Sequence, residues 1–156
     1  MANSSHMKEI TIDSALRATW QSVARMYNEE AKGFGSTMAV GFTLLSIDPK
    51  TGTPSTALGP KMGMEATRLS LILKSMEEKG LIERKPNPKD GRGVLIHLTE
   101  FGLEKREDSK DVVLRFNDAV KANVSKEKLD CFFEVMETIN RLVVEKNIYS
   151  KDSAHN

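Results

Sequence analysis

Apolar residues recur along most of this chain at helical spacing, and in one stretch they alternate as they do in strands. Leu16, Trp20, Val23 and Tyr27 stand at offsets 0, 4, 7 and 11, which predicts an amphipathic helix from about Ile10 to Lys32 that Gly33 and Gly35 end. Ser36 can cap a second helix through Ile47. Its residues Met38 to Leu45 are apolar almost all round, so this helix is expected at the buried centre. Asp48 to Pro54 is dense in turn formers and reads as a loop. Ser55 or Thr56 then caps a short helix to about Met62, and Gly63 makes the turn into the next one.

In that next helix Leu69, Ile72, Leu73 and Met76 fall at offsets 0, 3, 4 and 7 and share one face. The opposite face carries Thr67, Arg68, Ser70, Leu71 and Lys74. Gly80 is the residue that can take a positive φ after the helix ends near Lys79, and Leu81 stands where the accompanying apolar contact belongs. From Pro86 to Gly93 two prolines and two glycines forbid a helix. Beyond them Val94, Ile96 and Leu98 alternate with Leu95, His97 and Thr99 as in a half-buried strand. Leu81–Lys85 and Val94–Thr99 therefore read as a hairpin with a long, basic tip.

Thr99 can cap a long, charged helix from Phe101 to about Val120, with Val113, Phe116 and Val120 on one stripe. Ser125 caps a last helix in which Leu129, Phe132, Phe133, Met136 and Val143 stand at offsets 0, 3, 4, 7 and 14. These terminal helices carry more apolar surface than a small head can cover. The economical partner is a second copy, with the first, fifth and sixth helices packed across a two-fold axis.

A presented helix followed by a ribbon with a charged tip is the layout of a winged helix-turn-helix. The fold class expected is mainly α with a small β-hairpin wing, and long terminal dimerisation helices. The motifs carry a resemblance as well. Leu-Ile-Glu-Arg-Lys-Pro-Asn-Pro-Lys-Asp-Gly-Arg at Leu81–Arg92, then Leu-Thr-Glu-Phe-Gly at Leu98–Gly102, resembles the wing and the strand-to-helix junction of the MarR (multiple-antibiotic-resistance regulator) transcription factors. The ending Met76-Glu77-Glu78-Lys79-Gly80 is similar to that family's Leu-Glu-x-x-Gly. Gly91 stands where the family usually has its first wing arginine, Asn87 replaces an aspartate, and Leu71 occupies a position often polar or basic.

The resemblance implies a homodimer that binds a pseudo-palindromic operator in double-stranded DNA. A small-molecule effector would enter between the dimer helices and the head and release the DNA. Ala66, Thr67, Arg68, Ser70, Leu71 and Lys74 would serve the major groove, and Lys85, Lys89, Asp90 and Arg92 the wing contacts. Residues 7–148 are then one winged-helix domain, with a DNA-binding head at 36–100 and dimerisation helices at 8–33 and 101–147. Residues 149–156 form a flexible tail, and Met1–His6 looks like an expression-vector scar outside the fold.

Composition adjusts this picture at a few points. A chain of 156 residues with 39% hydrophobic residues suits one domain with a sizeable core. Net charge is only +1, so the distribution matters more than the total. Between Ser55 and Leu98 eight cations face five anions, and the rest of the chain is slightly acidic. The single cysteine, Cys131, excludes an intramolecular disulfide framework and fits a reducing, cytoplasmic setting. Its place before Phe132 and Phe133 points to a buried, inert thiol. His97 lacks neighbouring ligand types and reads as structural, and most of the eight methionines read as core filler. No apolar run is long enough for a membrane span, and neither a cofactor loop nor a metal-spaced or nucleophilic cluster is present, so no enzyme is implied. The alternative function is a winged helix that contacts protein instead of DNA, which near-neutral charge would suit.

Overall fold

The computed structural model describes residues 9–146, 148 and 149. Its elements are α1 (Ile12–Gly33), α2 (Met38–Ser46), β1 (Thr53–Pro54), α3 (Ser55–Met62), α4 (Ala66–Glu78), β2 (Ile82–Asn87), β3 (Asp90–Leu98), α5 (Glu100–Asn123) and α6 (Lys126–Glu145). The segment Met1–His6 and the expected tail, Tyr149 apart, lie outside the described residues. The fold is mainly helical with one antiparallel sheet in the order β1-β3-β2. Contacts divide the chain into one unit through Val112 and another from Val113.

In the first unit, α1 begins at a Thr11 cap whose Oγ1 accepts from the Ser14 N–H, and it ends beside Gly35, which takes a φ of 68°. Asn28 on α1 reaches across to α2: its Oδ1 accepts from the Met38 N–H at 3.0 Å, satisfying a donor that the helix itself leaves free. Tyr27 and Phe42 add an edge-to-face contact at 5.7 Å. The cap of α2 is Thr37, one residue later than the expected Ser36, because the Thr37 Oγ1 is the acceptor for the Val40 N–H. At the other end of α2 the Lys61 ammonium donates to the Ser46 carbonyl at 2.7 Å, placing a cation where the helix dipole is negative.

Thr43 and Leu44 from α2, Ile47 just beyond its end, Leu58 from α3, Met76 from α4, Ile82 from β2 and Ile96 from β3 are the largest fully buried side chains. The helices and both long strands of the head thus share one core. The apolar centre expected of α2 is present in Val40, Thr43 and Leu44, with the hydroxyl of Thr43 satisfied by the Ala39 carbonyl.

The sheet departs from the expected loop and hairpin in two ways. Thr53 and Pro54, read from sequence as loop, pair with Ile96 and Leu95 as a third strand. The Thr53 Oγ1 also accepts from the Asp48 N–H, which closes the preceding turn. Packed over that turn is the His97 ring, and a Cβ on Gly52 would lie 2.8 Å from it. The second departure is the hairpin tip, where β2 and β3 continue through most of the segment expected to be irregular and leave only Pro88 and Lys89 as the turn. Proline is tolerated at Pro86 because β2 is an edge strand. Helix α3 likewise starts without the expected side-chain cap: Ser55 is its first residue, and Pro54 precedes it.

In the second unit Ser125 caps α6, its side chain accepting from the Lys128 N–H. Phe132 and Phe133 pack edge to face at 5.4 Å. No described residue of α6 is buried, and even Phe133 and Val143 are 61% and 58% exposed. Cys131 is exposed too, against the expectation of a buried thiol. At 3.6 residues per turn it falls away from the Leu129, Phe133 and Met136 stripe and shares a face with Val135 and Leu142.

Candidate nucleic-acid interface

The helix-turn-helix is made by α3, a tight turn and α4. Gly63 ends α3 with a φ of 64°, a left-handed conformation that costs little only without a Cβ. The Met64 N–H returns to the Gly59 carbonyl at 2.9 Å. Leu69, Leu73 and Met76 are then buried and Ile72 is partly buried, so α4 is fixed by the stripe that its spacing predicts. Its end is a Schellman closure: the Gly80 N–H donates to the Glu77 carbonyl, the Leu81 N–H donates to the Met76 carbonyl, and Gly80 takes a φ of 75°. Leu81 and Met76 are both buried, which supplies the apolar contact of that motif.

With its apolar stripe fixed inward, α4 presents Ala66, Thr67, Arg68, Ser70, Leu71 and Lys74, all exposed. Leu71 is 66% exposed and stands opposite the buried stripe. Beside α4, Arg84 of β2 and residues of α3 line an open groove of about 590 Å³, with Ser55 and Thr56 on one wall and Ser70 on another.

The ribbon brings its charges out by alternation and by a bulge. Glu83 and Lys85 are on one face, where Lys85 Nζ lies 3.7 Å from Glu83 Oε2. Arg84 is on the other face, toward α4, and its Nε donates to Glu77 Oε2 at 3.1 Å. Periodicity and charge do not single out Arg84 in the sequence. Which of two adjacent cations faces α4 is a matter of strand register, which Arg84↔Ile96 and Lys85↔Leu95 now give.

Near the tip, one step along β2 from Pro86 to Asn87 corresponds to four along β3, from Val94 to Asp90. The surplus is Gly91, Arg92 and Gly93, a bulge that frees Arg92 from pairing. Two side-chain bonds shape it: Asn87 Oδ1 accepts from the Lys89 N–H at 3.0 Å, and Asp90 Oδ1 accepts from the Arg92 N–H at 3.1 Å. Asp90 thus holds the backbone of Arg92, while the Lys89 and Arg92 side chains are exposed. Among the described residues, none of Arg68, Lys74, Lys89 and Arg92 takes part in an ion pair.

Other chemistry has little to build on. No group of three or more His, Cys, Asp or Glu among the described residues could hold a metal ion. No described helix is long and apolar enough to cross a membrane.

Residues 37–94, which span α2 through the bulge of β3, match the model of the MarR family. Over these residues the chain is similar to the MarR family. It is 34% identical over 79 residues to the helix-turn-helix transcriptional regulator YdgJ of Bacillus subtilis, a match covering 51% of this chain and 48% of that protein. The chain thus spans about half the length of that relative. Among solved structures, S. aureus MepR in complex with DNA superposes with a TM-score of 0.78 at 19% identity, covering 85% of this chain and 98% of MepR. The PcaV regulator of Streptomyces coelicolor, in complex with its natural ligand, gives 0.70 at 18% identity over 92% and 97% of the two chains. At these identities the likeness shows the fold: a winged helix-turn-helix of the MarR kind.

Proposed function

We infer that this chain is a DNA-binding transcriptional regulator that acts as a homodimer on a pseudo-palindromic operator. One observation carries the reading: α4 and the wing following it both present cations, Arg68 and Lys74 on the helix and Lys89 and Arg92 on the tip, that no described carboxylate neutralises. Phosphates would complete them. In this reading α4 enters the major groove, and Arg92 reaches the flanking backbone or minor groove. Asp90 positions Arg92, and Lys85, partly engaged by Glu83, contributes less than Lys89.

The dimer reading is supported by α6, which buries none of its described residues in the single chain yet carries Phe132, Phe133, Val143 and Val144. Trp20 of α1, 52% exposed, adds to the same demand. A second copy is the partner always present at matching concentration. A small effector that alters the spacing of the two heads would release the DNA; PcaV, of the same fold, is solved in complex with its natural ligand.

Selection of duplexes from a random pool tests the reading. An enriched inverted repeat is expected, with log affinity falling linearly in log [salt] through counterion release. Repeating the selection with candidate small molecules tests release. A protein that enriches no sequence, and whose binding of duplex is insensitive to salt, is not this regulator.

A further inference from the structure

The exposed face of α4 contains one large apolar residue, which neither charge nor hydrogen bonding explains. Leu71 is two-thirds exposed, opposite Leu69, Leu73 and Met76, so no core within the head can take it. Thr67 and Lys74 flank it at one helical turn, and Arg68 lies on its other side. If those polar neighbours straddle the groove, as the DNA-binding reading has it, the residue between them faces the groove floor. There the one apolar feature on a base edge is the 5-methyl group of thymine.

We propose that Leu71 is a specificity-determining residue, reading a thymine methyl at one symmetric pair of operator positions. The proposal rests on the DNA-binding reading above and adds to it a base and an atom. Leu71 is the sixth residue of a helix that begins at Ala66, within the N-terminal half that a recognition helix turns toward base edges. A leucine there can offer no hydrogen bond, so its discrimination must come from apolar contact and from excluding water around the methyl. It favours thymine over cytosine, whose C5 carries only hydrogen and whose N4 donor would lose its water without gaining an acceptor.

The test uses the full chain and the operator enriched from a random pool. Each thymine in turn is replaced by deoxyuridine in both half-sites, which deletes the methyl and leaves pairing intact. At one symmetric pair the unmutated protein should lose roughly fourfold in affinity per half-site, the effect of one buried methyl. Leu71→Ala should bind the thymine and uracil operators alike at that pair, while Leu71→Met, which keeps an apolar chain of similar length, should retain the difference. If an operator is enriched but every uracil substitution affects the unmutated protein and Leu71→Ala equally, the methyl reading is overturned and the regulator reading stands. If no sequence is enriched at all, both fall together.

Discussion

Gly102 stands so close to Leu81 that a Cβ at position 102 would collide with the Leu81 carbonyl oxygen and lie 3.0 Å from its carbon. That carbonyl already accepts from the Thr99 N–H, and the Thr99 hydroxyl donates to the Gly80 carbonyl while accepting from the Gly102 N–H. The end of α4, the end of β3 and the first turn of α5 are thereby tied in one knot of backbone contacts. The obstacle is backbone, not a side chain that could swing away.

Gly102→Ala should therefore cost about 3 kcal/mol or more of unfolding free energy, the upper end for overpacking a tight site. Urea denaturation of both proteins measures it. A loss below about 0.5 kcal/mol, the scatter of ordinary surface substitutions, would mean that the first turn of α5 can move off Leu81 freely.

The turn before β1 gives a pH-dependent outcome. The Asp48 carboxylate accepts from the N–H groups of Thr51 and Lys50, at 3.0 and 2.8 Å, and they hold its pKa below the ordinary value of 3.8. A depressed folded-state pKa means that this contribution to stability is complete above the ordinary carboxylate range and is lost as pH falls through the lower folded value. Asp48→Asn keeps an acceptor and removes the titration. The Asp48 carboxyl carbon, followed by NMR, should titrate below the ordinary value of 3.8, and a midpoint above it would contradict the geometry.

Much of this architecture was legible in the sequence, and the parts that were not share a cause. The stripe Leu69, Leu73 and Met76 and the stop at Gly80 depend on neighbours within a turn or two, so periodicity finds them. Thr53–Pro54 is too short for any period, and becomes a strand only because β3 lies alongside. The facing of Arg84 rather than Lys85 toward α4, and the ejection of Arg92 by a bulge, follow from pairing between residues distant along the chain. Cys131 misled because two adjacent phenylalanines suggested an apolar face that helical spacing carries elsewhere. The candidate DNA face was legible as a helix surface and a charged tip, whereas its internal division into contacting and positioning groups needed the register.

The proposed dimer predicts an effect at Phe133, which is 61% exposed in the single chain. Phe133→Asp would place a carboxylate in an apolar interface twice, once per copy across the two-fold axis. At about 2 kcal/mol per copy, a typical threshold for a central interface residue, the dimer should dissociate on the order of 1,000-fold more readily. Sedimentation of the full chain at several concentrations checks this. A variant that stays dimeric at the same concentrations as the parent would take α6 out of the interface.

Arg92 is the cation that the bulge frees, so Arg92→Ala should weaken operator binding and reduce the salt slope by about one per wing if a phosphate contact is lost. Loss of A·T preference at the operator flanks, without that change of slope, would indicate minor-groove reading instead. Unchanged affinity at every salt concentration would remove Arg92 from the interface.

Gly91 allows the converse experiment. A Cβ on its neighbour Gly93 would touch atoms of Asn87 and Asp90 at 3.4 Å, whereas around Gly91 nothing lies within 4 Å, and its φ is not positive. The glycine at 91 is therefore not required by space or by backbone conformation, and a side chain there would project from an exposed tip beside Arg92. Gly91→Arg should leave stability within about 0.5 kcal/mol of the parent, as surface substitutions usually do. If the wing lies against the phosphates, the added guanidinium should tighten operator binding at low salt and steepen the dependence of log affinity on log [salt] by about one per wing. Gly91→Gln separates charge from bulk, since it adds length without a cation and should leave the slope alone. Equal slopes for the arginine and glutamine variants would place the tip away from the DNA backbone, leaving α4 to account for binding alone.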